Sequence, residues 1–226
     1  MLISIVIPCY RSSKTLPKVE EEIRNSFLSH PEHDYQLILV NDSPTDEATT
    51  DVIRGLCESN PKVMGIQMSR NHGQARARMA ALNYIEGDCA VYMDDDGQHP
   101  ASGIFTLVEK AREGYDMVYA RFPQKKHSAF KRITSNMFRS VQEMLKVKAK
   151  GVYVSSFYAL SRFAVDALIG YHSPSPSTGA FLLNVTTKFA NVDIEHRTRA
   201  AGKSNYTLHM LSLVGKEHSN INGCKQ

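Results

Sequence analysis

Apolar and polar positions alternate between two periods along the first half of the chain. Short apolar runs fall at Leu2–Ile7, Gln36–Val40, Val63–Met68, Ala90–Met93 and Met117–Ala120. Each is too short for a helix and most are rich in β-branched or aromatic residues, so they predict strands. The intervening segments Lys14–Ser29, Thr45–Ser59, Gln74–Glu86 and Pro100–Arg112 fit helices, the last with Pro100 placed for a first turn. Repeated strand–helix alternation implies parallel strands joined by crossover helices. The expected fold is α/β, a doubly wound, mostly parallel sheet with helices on both faces. Ligands of such sheets bind at the carboxyl ends of the strands. Chemistry is therefore to be sought in the loops Pro8–Ser13, Asn41–Asp46, Ser69–Gly73 and Asp94–Pro100.

The second half has a different pattern. Phe130, Ile133, Met137, Phe138, Val141, Met144 and Leu145 recur at helical spacing along Ser128–Val147, with basic residues around them. Gly151–Leu160 reads as a strand, Arg162–Ile169 as a short helix, Tyr171–Thr178 as a Ser/Pro-rich loop, Phe181–Phe189 as a helix and Val192–His196 as a strand. No repeat or linker divides the chain, which is expected to form one domain over residues 1–214 with a polar tail at 215–226.

The 226-residue length and 42% hydrophobic content suit one compact domain with a real core. Charge changes the picture more. Between Arg121 and Lys150 nine basic residues face the single acid Glu143, a net of +8 that leaves the rest at −4 within the formal total of +4. A basic amphipathic helix at Ser128–Val147 suits an anionic membrane surface, and equally an ordinary core-facing helix with a solvated basic side. Nucleic acid is the weaker partner, since the block carries no binding motif and the chain is otherwise acidic. No apolar run approaches the ~20 residues that span a bilayer, and the N-terminus lacks the pattern of a secretory signal. The expectation is a cytoplasmic protein. Cys9, Cys57, Cys89 and Cys224 are widely spaced without a C-x-x-C and read as free thiols.

The strongest chemical signal is Asp94-Asp95-Asp96-Gly97-Gln98-His99-Pro100 just past a predicted strand. Three adjacent carboxylates repel, and a bound Mg²⁺ or Mn²⁺ offsets that cost by taking carboxylate oxygens and completing its shell with water and a diphosphate. A solvated acidic turn capping the next helix is the plainer alternative. Pro8 and Tyr10 end the first strand with a rigid ring and an aromatic able to flank a nucleobase. Asp42 ends the next, suited either to a base N–H or to a turn. Arg70, Arg76 and Arg78 surround the next helix start, suiting a phosphate-bearing ligand or a solvated helix end.

In order, these motifs resemble glycosyltransferase family 2, over roughly Ile3 to Leu213. Val40–Asp46 resembles the family's V-[ND]-D-G-S-x-D segment, with Ser43-Pro44 in place of Gly-Ser. Asn71-His72-Gly73-Gln74 resembles the N-x-G motif, and Asp94–Pro100 resembles D-x-D-x-Q-x-P of the polyprenyl-phosphate sugar transferases. Arg199–Tyr206 resembles R-x-x-G-x-S-x-Y of the same branch. The resemblance implies a GT-A nucleotide-sugar fold. It implies that Pro8, Tyr10 and Asp42 contact the nucleoside, that Asp94, Asp96 and Gln98 surround the metal and diphosphate, and that Asp95 faces the donor. Asp96, Arg199 and Lys203 would be catalytic, the last two through phosphate groups.

The family inverts at the anomeric carbon. A saccharide hydroxyl acceptor needs a general base, yet no acid occurs between Asp166 and Asp193, which favours an acceptor already ionised, such as a polyprenyl phosphate. Transfer to a saccharide hydroxyl, and a non-catalytic nucleotide-sugar-binding module, are the alternatives. Many members of the branch continue into transmembrane helices where this chain has the polar run Gly215–Gln226, so it reads either as a member working without its own anchor or as a shortened one. Dehydrogenase, P-loop and G-x-S-x-G hydrolase readings fail for want of their motifs.

Overall fold

A computed structural model describes residues 1–123, 151–173 and 176–195 of the chain. Seven strands form one sheet in the order β3-β2-β1-β4-β6-β5-β7. They are β1 (Leu2–Cys9), β2 (Asp34–Asn41), β3 (Val63–Gln67), β4 (Cys89–Tyr92), β5 (Met117–Arg121), β6 (Tyr158–Ser161) and β7 (Phe189–Asp193). β1 pairs in parallel with β2 and β4, β2 with β3, and β5 with β7. Among these strands only β6 runs against its neighbours, β4 and β5.

Ile3, Ile5, Val6, Ile7 and Leu37 to Val40 are buried on both faces of the sheet, which explains why β1 and β2 are nearly continuous apolar runs. The helices α1 (Leu16–Leu28), α2 (Glu47–Ser59) and α4 (Ser102–Arg112) cover one face. In α1, Leu16, Val19, Ile23 and Phe27 recur at helical spacing and supply the packing stripe. The other face carries α3 (Gln74–Ala80), a 3₁₀ turn (Leu82–Tyr84), α5 (Arg162–Leu168) and α6 (Thr178–Leu182). Ser161 starts α5 by accepting the amide of Ala164.

Several expected boundaries move. The segment Gly151–Leu160 is strand only from Tyr158, because the Asn191 side chain binds both the amide and the carbonyl of Tyr153 and takes the place of a ladder. The helix expected over Phe181–Phe189 instead runs from Thr178 to Leu182. Beyond it the Thr186 hydroxyl donates to Asp116, and Phe189 already pairs with Met117. The following strand accordingly ends at Asp193 rather than reaching His196. The helix from Gln74 ends at Ala80 and continues as the 3₁₀ turn, and Pro100 precedes the first turn of α4 instead of lying in it. The basic segment Ser128–Val147 and the tail at 215–226 lie outside the described residues. Cys9, Cys57 and Cys89 are free thiols, as expected; Cys224 lies outside the described residues.

The antiparallel direction of β6 has a topological result. β5 ends, and β6 begins, at the carboxyl edge of the parallel strands, so residues 122–157 both leave and rejoin the sheet there.

At the opposite edge, Gly87 donates its amide to the buried Ser4 hydroxyl. A Cβ there would stand 2.6 Å from the Ser4 amide nitrogen and 2.8 Å from the Cys89 carbonyl oxygen. Backbone cannot yield as a side-chain tip can. Gly87→Ala is expected to lower stability by about 1–3 kcal/mol, read as a lower urea midpoint with unchanged slope.

Candidate active site

Strand order reverses at β1, which has β2 on one side and β4 on the other, and the crevice beyond the carboxyl ends of β1 and β4 is the place where such sheets bind ligands. Pro8 lies buried near the end of β1, and Tyr10 just beyond the strand is 41% exposed. Arg11 takes a left-handed backbone, φ +55°, with its amide on Ser43 Oγ at 3.0 Å and its guanidinium 5.5 Å from the Tyr10 ring centre. This kink turns the Tyr10 amide and the Ser12 hydroxyl onto one oxygen, Oδ2 of Asp95, the former at 3.0 Å. Asp95 thus ties the end of β1 to the loop after β4. Burial holds its carboxyl above the usual carboxylate range, with these two donors pulling the other way and neighbouring Asp94 adding to the rise.

Asp42, buried at the end of β2, accepts the amides of His72 at 2.7 Å and Gly73 at 2.8 Å. Gly73 sits at φ +83°, a conformation that favours glycine, and Asn71 Oδ1 also accepts its amide. Asn41 supports the turn, its Oδ1 accepting both the amide and hydroxyl of Ser43 and its Nδ2 donating to Thr50 and Gln67. Asp42 therefore shapes the loop from which α3 starts.

That helix aims Gln74 and Arg78, one turn apart on the same side, at Asp94. Gln74 Nε2 donates to Asp94 Oδ1 at 2.6 Å and Arg78 Nη2 to the same oxygen at 3.3 Å, while Ser156 Oγ donates to Oδ2 at 2.5 Å. The Asp94 amide donates to Nδ1 of buried His99, which stacks on Phe157 and whose Nε2 lies 3.8 Å from Asp94 Oδ2. Asp96 is half-buried, with Oδ1 accepting the Gln98 amide at 3.0 Å. Burial pushes the Cys9 thiol well up, and nearby Asp95 adds to the effect, so Cys9 is not an activated nucleophile.

The structure thus gathers Pro8, Tyr10, Asp42, Asp94, Asp95, Asp96 and Gln98 along one edge. Arg199 and Lys203 lie outside the described residues. Ser12, Gln74 and His99 join the site from within the loops and motifs marked out in the sequence, without a role assigned to them there, and Ser156 joins it from outside them. The carboxylates and the side-chain carbonyl oxygen of Gln98 are hard oxygen donors of the kind that fit a divalent cation such as Mg²⁺ or Mn²⁺. Among the described residues no three His, Cys, Asp or Glu side chains converge as a ready-made cage.

Replacing Asp42 by Asn leaves one carbonyl oxygen for two amides. A hydrogen bond to a charged acceptor is worth about 1.5–3 kcal/mol, so Asp42→Asn is expected to speed hydrogen exchange of the His72 amide, which has no second acceptor in the turn, roughly tenfold or more while β1 amides keep their protection.

The family model described as Glycosyl transferase family 2 matches residues 4–169. The chain is 29% identical over 213 residues to undecaprenyl-phosphate 4-deoxy-4-formamido-L-arabinose transferase of Proteus mirabilis (strain HI4320), covering 94% of this chain and 65% of that protein. The protein of the same name from Photorhabdus laumondii subsp. laumondii is 28% identical over 209 residues, covering 92% and 64% respectively. The chain therefore spans just under two thirds of the length of these relatives. Among solved structures, glucosyl-3-phosphoglycerate synthase from Mycobacterium tuberculosis, in complex with Mn²⁺, UDP-glucose and phosphoglyceric acid, superposes with a TM-score of 0.66 at 20% identity, covering 95% of this chain and 76% of that one. Mannosyl-3-phosphoglycerate synthase from Rubrobacter xylanophilus gives 0.65 at 18% identity, covering 100% and 76%. Both likenesses are of fold, the GT-A arrangement expected from the motifs. Sequence match and architecture agree, and the chain belongs to glycosyl transferase family 2.

Proposed function

We propose that this chain moves a sugar from a nucleotide-sugar donor to a polyprenyl phosphate, with inversion at the anomeric carbon. The observation that carries the reading is the convergence of Tyr10, Asp42 and the Asp94–Asp96 run on the crevice between β1 and β4. Tyr10 offers an exposed ring to a nucleobase, and Asp42 sets the loop beside it. Asp96 and Gln98 would supply oxygens to a diphosphate-bound cation, and Asp94 is held in place by Arg78, Gln74 and Ser156. A Mg²⁺ or Mn²⁺ held there would supply positive charge against the leaving nucleoside diphosphate.

Acceptor chemistry follows from what the chain does not need to supply. A phosphate monoester is already anionic near neutral pH and attacks without a general base, consistent with the absence of acids between Asp166 and Asp193. The relatives from Proteus and Photorhabdus are named for undecaprenyl phosphate, which supports the same acceptor class. Residues 122–157, which carry most of the basic block, are tied at both ends to the active edge of the sheet, where an anionic headgroup would be received. We assign contact with an anionic membrane surface to this basic segment, whose lysines and arginines suit anionic headgroups. Arg199 and Lys203 would complete the phosphate contacts. Transfer to a saccharide hydroxyl is the second reading.

Two experiments test this. Purified protein with Mg²⁺ or Mn²⁺ and a panel of nucleotide sugars should glycosylate undecaprenyl phosphate and not soluble saccharides; transfer to saccharides alone would sink the lipid assignment. In the same assay Asp96→Asn should cut metal-dependent transfer at least about a hundredfold. Flotation with anionic vesicles should recover the parent chain and much less of a Lys131→Glu, Arg132→Glu variant, and equal recovery would remove the basic segment from the account.

A further inference from the structure

The loop that carries the three carboxylates is a short excursion between two anchors. Met93 still continues the pairing of β1 with β4, its amide on the Val6 carbonyl at 3.2 Å, and Pro100 is buried again ahead of α4. Asp94 to Gln98 lie half-buried between them, and Gly97 at φ +73° turns the chain back. Like charges on Asp94, Asp95 and Asp96 push such a loop open. The bond that closes it at its base runs from the Asp94 amide to Nδ1 of His99, five residues on, at 3.0 Å. An amide N–H can only donate, so Nδ1 accepts and the ring carries its proton on Nε2, which lies 3.8 Å from Asp94 Oδ2.

The imidazole that makes this bond is itself tightly placed. Phe157, fully buried at the entry to β6, stacks on it with ring centres 4.7 Å apart and planes 10° apart. Phe122, just past β5, lies nearly parallel to it as well, at 5.7 Å and 5°. Phe157 in turn packs on the backbone of α4, so closely that a Cβ on Gly103 would stand 2.8 Å from its Cε1. The exit from β5, the entry to β6 and the loop after β4 therefore meet on one ring. A plain aromatic ring would satisfy the stacking, and a plain acceptor would satisfy the amide. Histidine supplies both, and the acceptor is the part that acts on the loop. With its amide fixed, Asp94 offers its carboxylate to Gln74, Arg78 and Ser156, and the run to Asp96 and Gln98 starts from a set point.

We propose that His99 is a positioning residue for the metal site: by accepting the Asp94 amide it closes the loop from Asp94 to His99 and sets the carboxylates for a nucleotide-bound cation. The assignment rests on the donor and metal reading above and adds to it the residue that holds the loop in shape.

Two variants separate the bond from the packing. His99→Asn keeps an acceptor oxygen at the place of Nδ1 and gives up most of the ring, whereas His99→Phe keeps a ring and gives up the acceptor. In calorimetric titrations with Mn²⁺ and UDP or GDP, whichever the parent binds, His99→Phe should bind about tenfold or more weakly, the scale on which partners behind metal ligands act. His99→Asn should stay within about threefold of the parent although it melts earlier for want of its stacking. The parent alone supplies a second readout that needs no variant to fold. NMR of the His99 ring nitrogens should show the proton on Nε2 and a bare Nδ1, and hydrogen exchange should find the Asp94 amide protected. A proton on Nδ1, His99→Phe binding like the parent, or His99→Asn binding no better than His99→Phe overturns the proposal while leaving the metal reading standing. A parent whose nucleotide binding ignores Mn²⁺ overturns both.

Discussion

Three consecutive carboxylates at the end of one strand repel one another, and the site is organised by sending each to a different set of partners. Asp94 turns toward Arg78, Gln74 and Ser156, Asp95 toward Tyr10 and Ser12, and Asp96 toward the Gln98 amide. Each direction recruits a different region of the chain: α3 and the entry to β6, the end of β1, and the loop itself. Dispersing the charge and assembling the crevice are therefore the same act.

Asp42 has the corresponding role at the end of β2. Its two amide contacts fix where α3 begins, and α3 in turn delivers the two side chains that hold Asp94. The path from β2 to β4 thus runs through a backbone turn and a single helical turn. It contains few rotatable links, which suits a site that must hold charge in a set geometry.

The parallel half was legible in the sequence because β1, β2 and β4 are buried on both faces and must be apolar throughout. The segment before β6 was not, since the Asn191 contacts that replace its ladder come from 38 residues away. The carboxylate run and the strand-end positions of Tyr10 and Asp42 could be found from local pattern. Ser12, His99 and Ser156 could not, being ordinary residues whose roles arise only when distant strand ends meet. Arg78 had a local cue in its four-residue spacing from Gln74, which places both on one side of a helix.

The reversal of β6 bears on how such a protein can vary. A connection between parallel strands must cross the sheet, so its length is tied to the strands it joins. Residues 122–157 depart from and return to the same edge and face no such requirement. Strand pairing therefore sets neither its length nor its charge, and what it must keep is the end that meets the site, Ser156 on Asp94 and Phe157 against His99. Under the proposed function, a change of acceptor can then be carried by this stretch while β1, β2 and the Asp42 turn stay as they are.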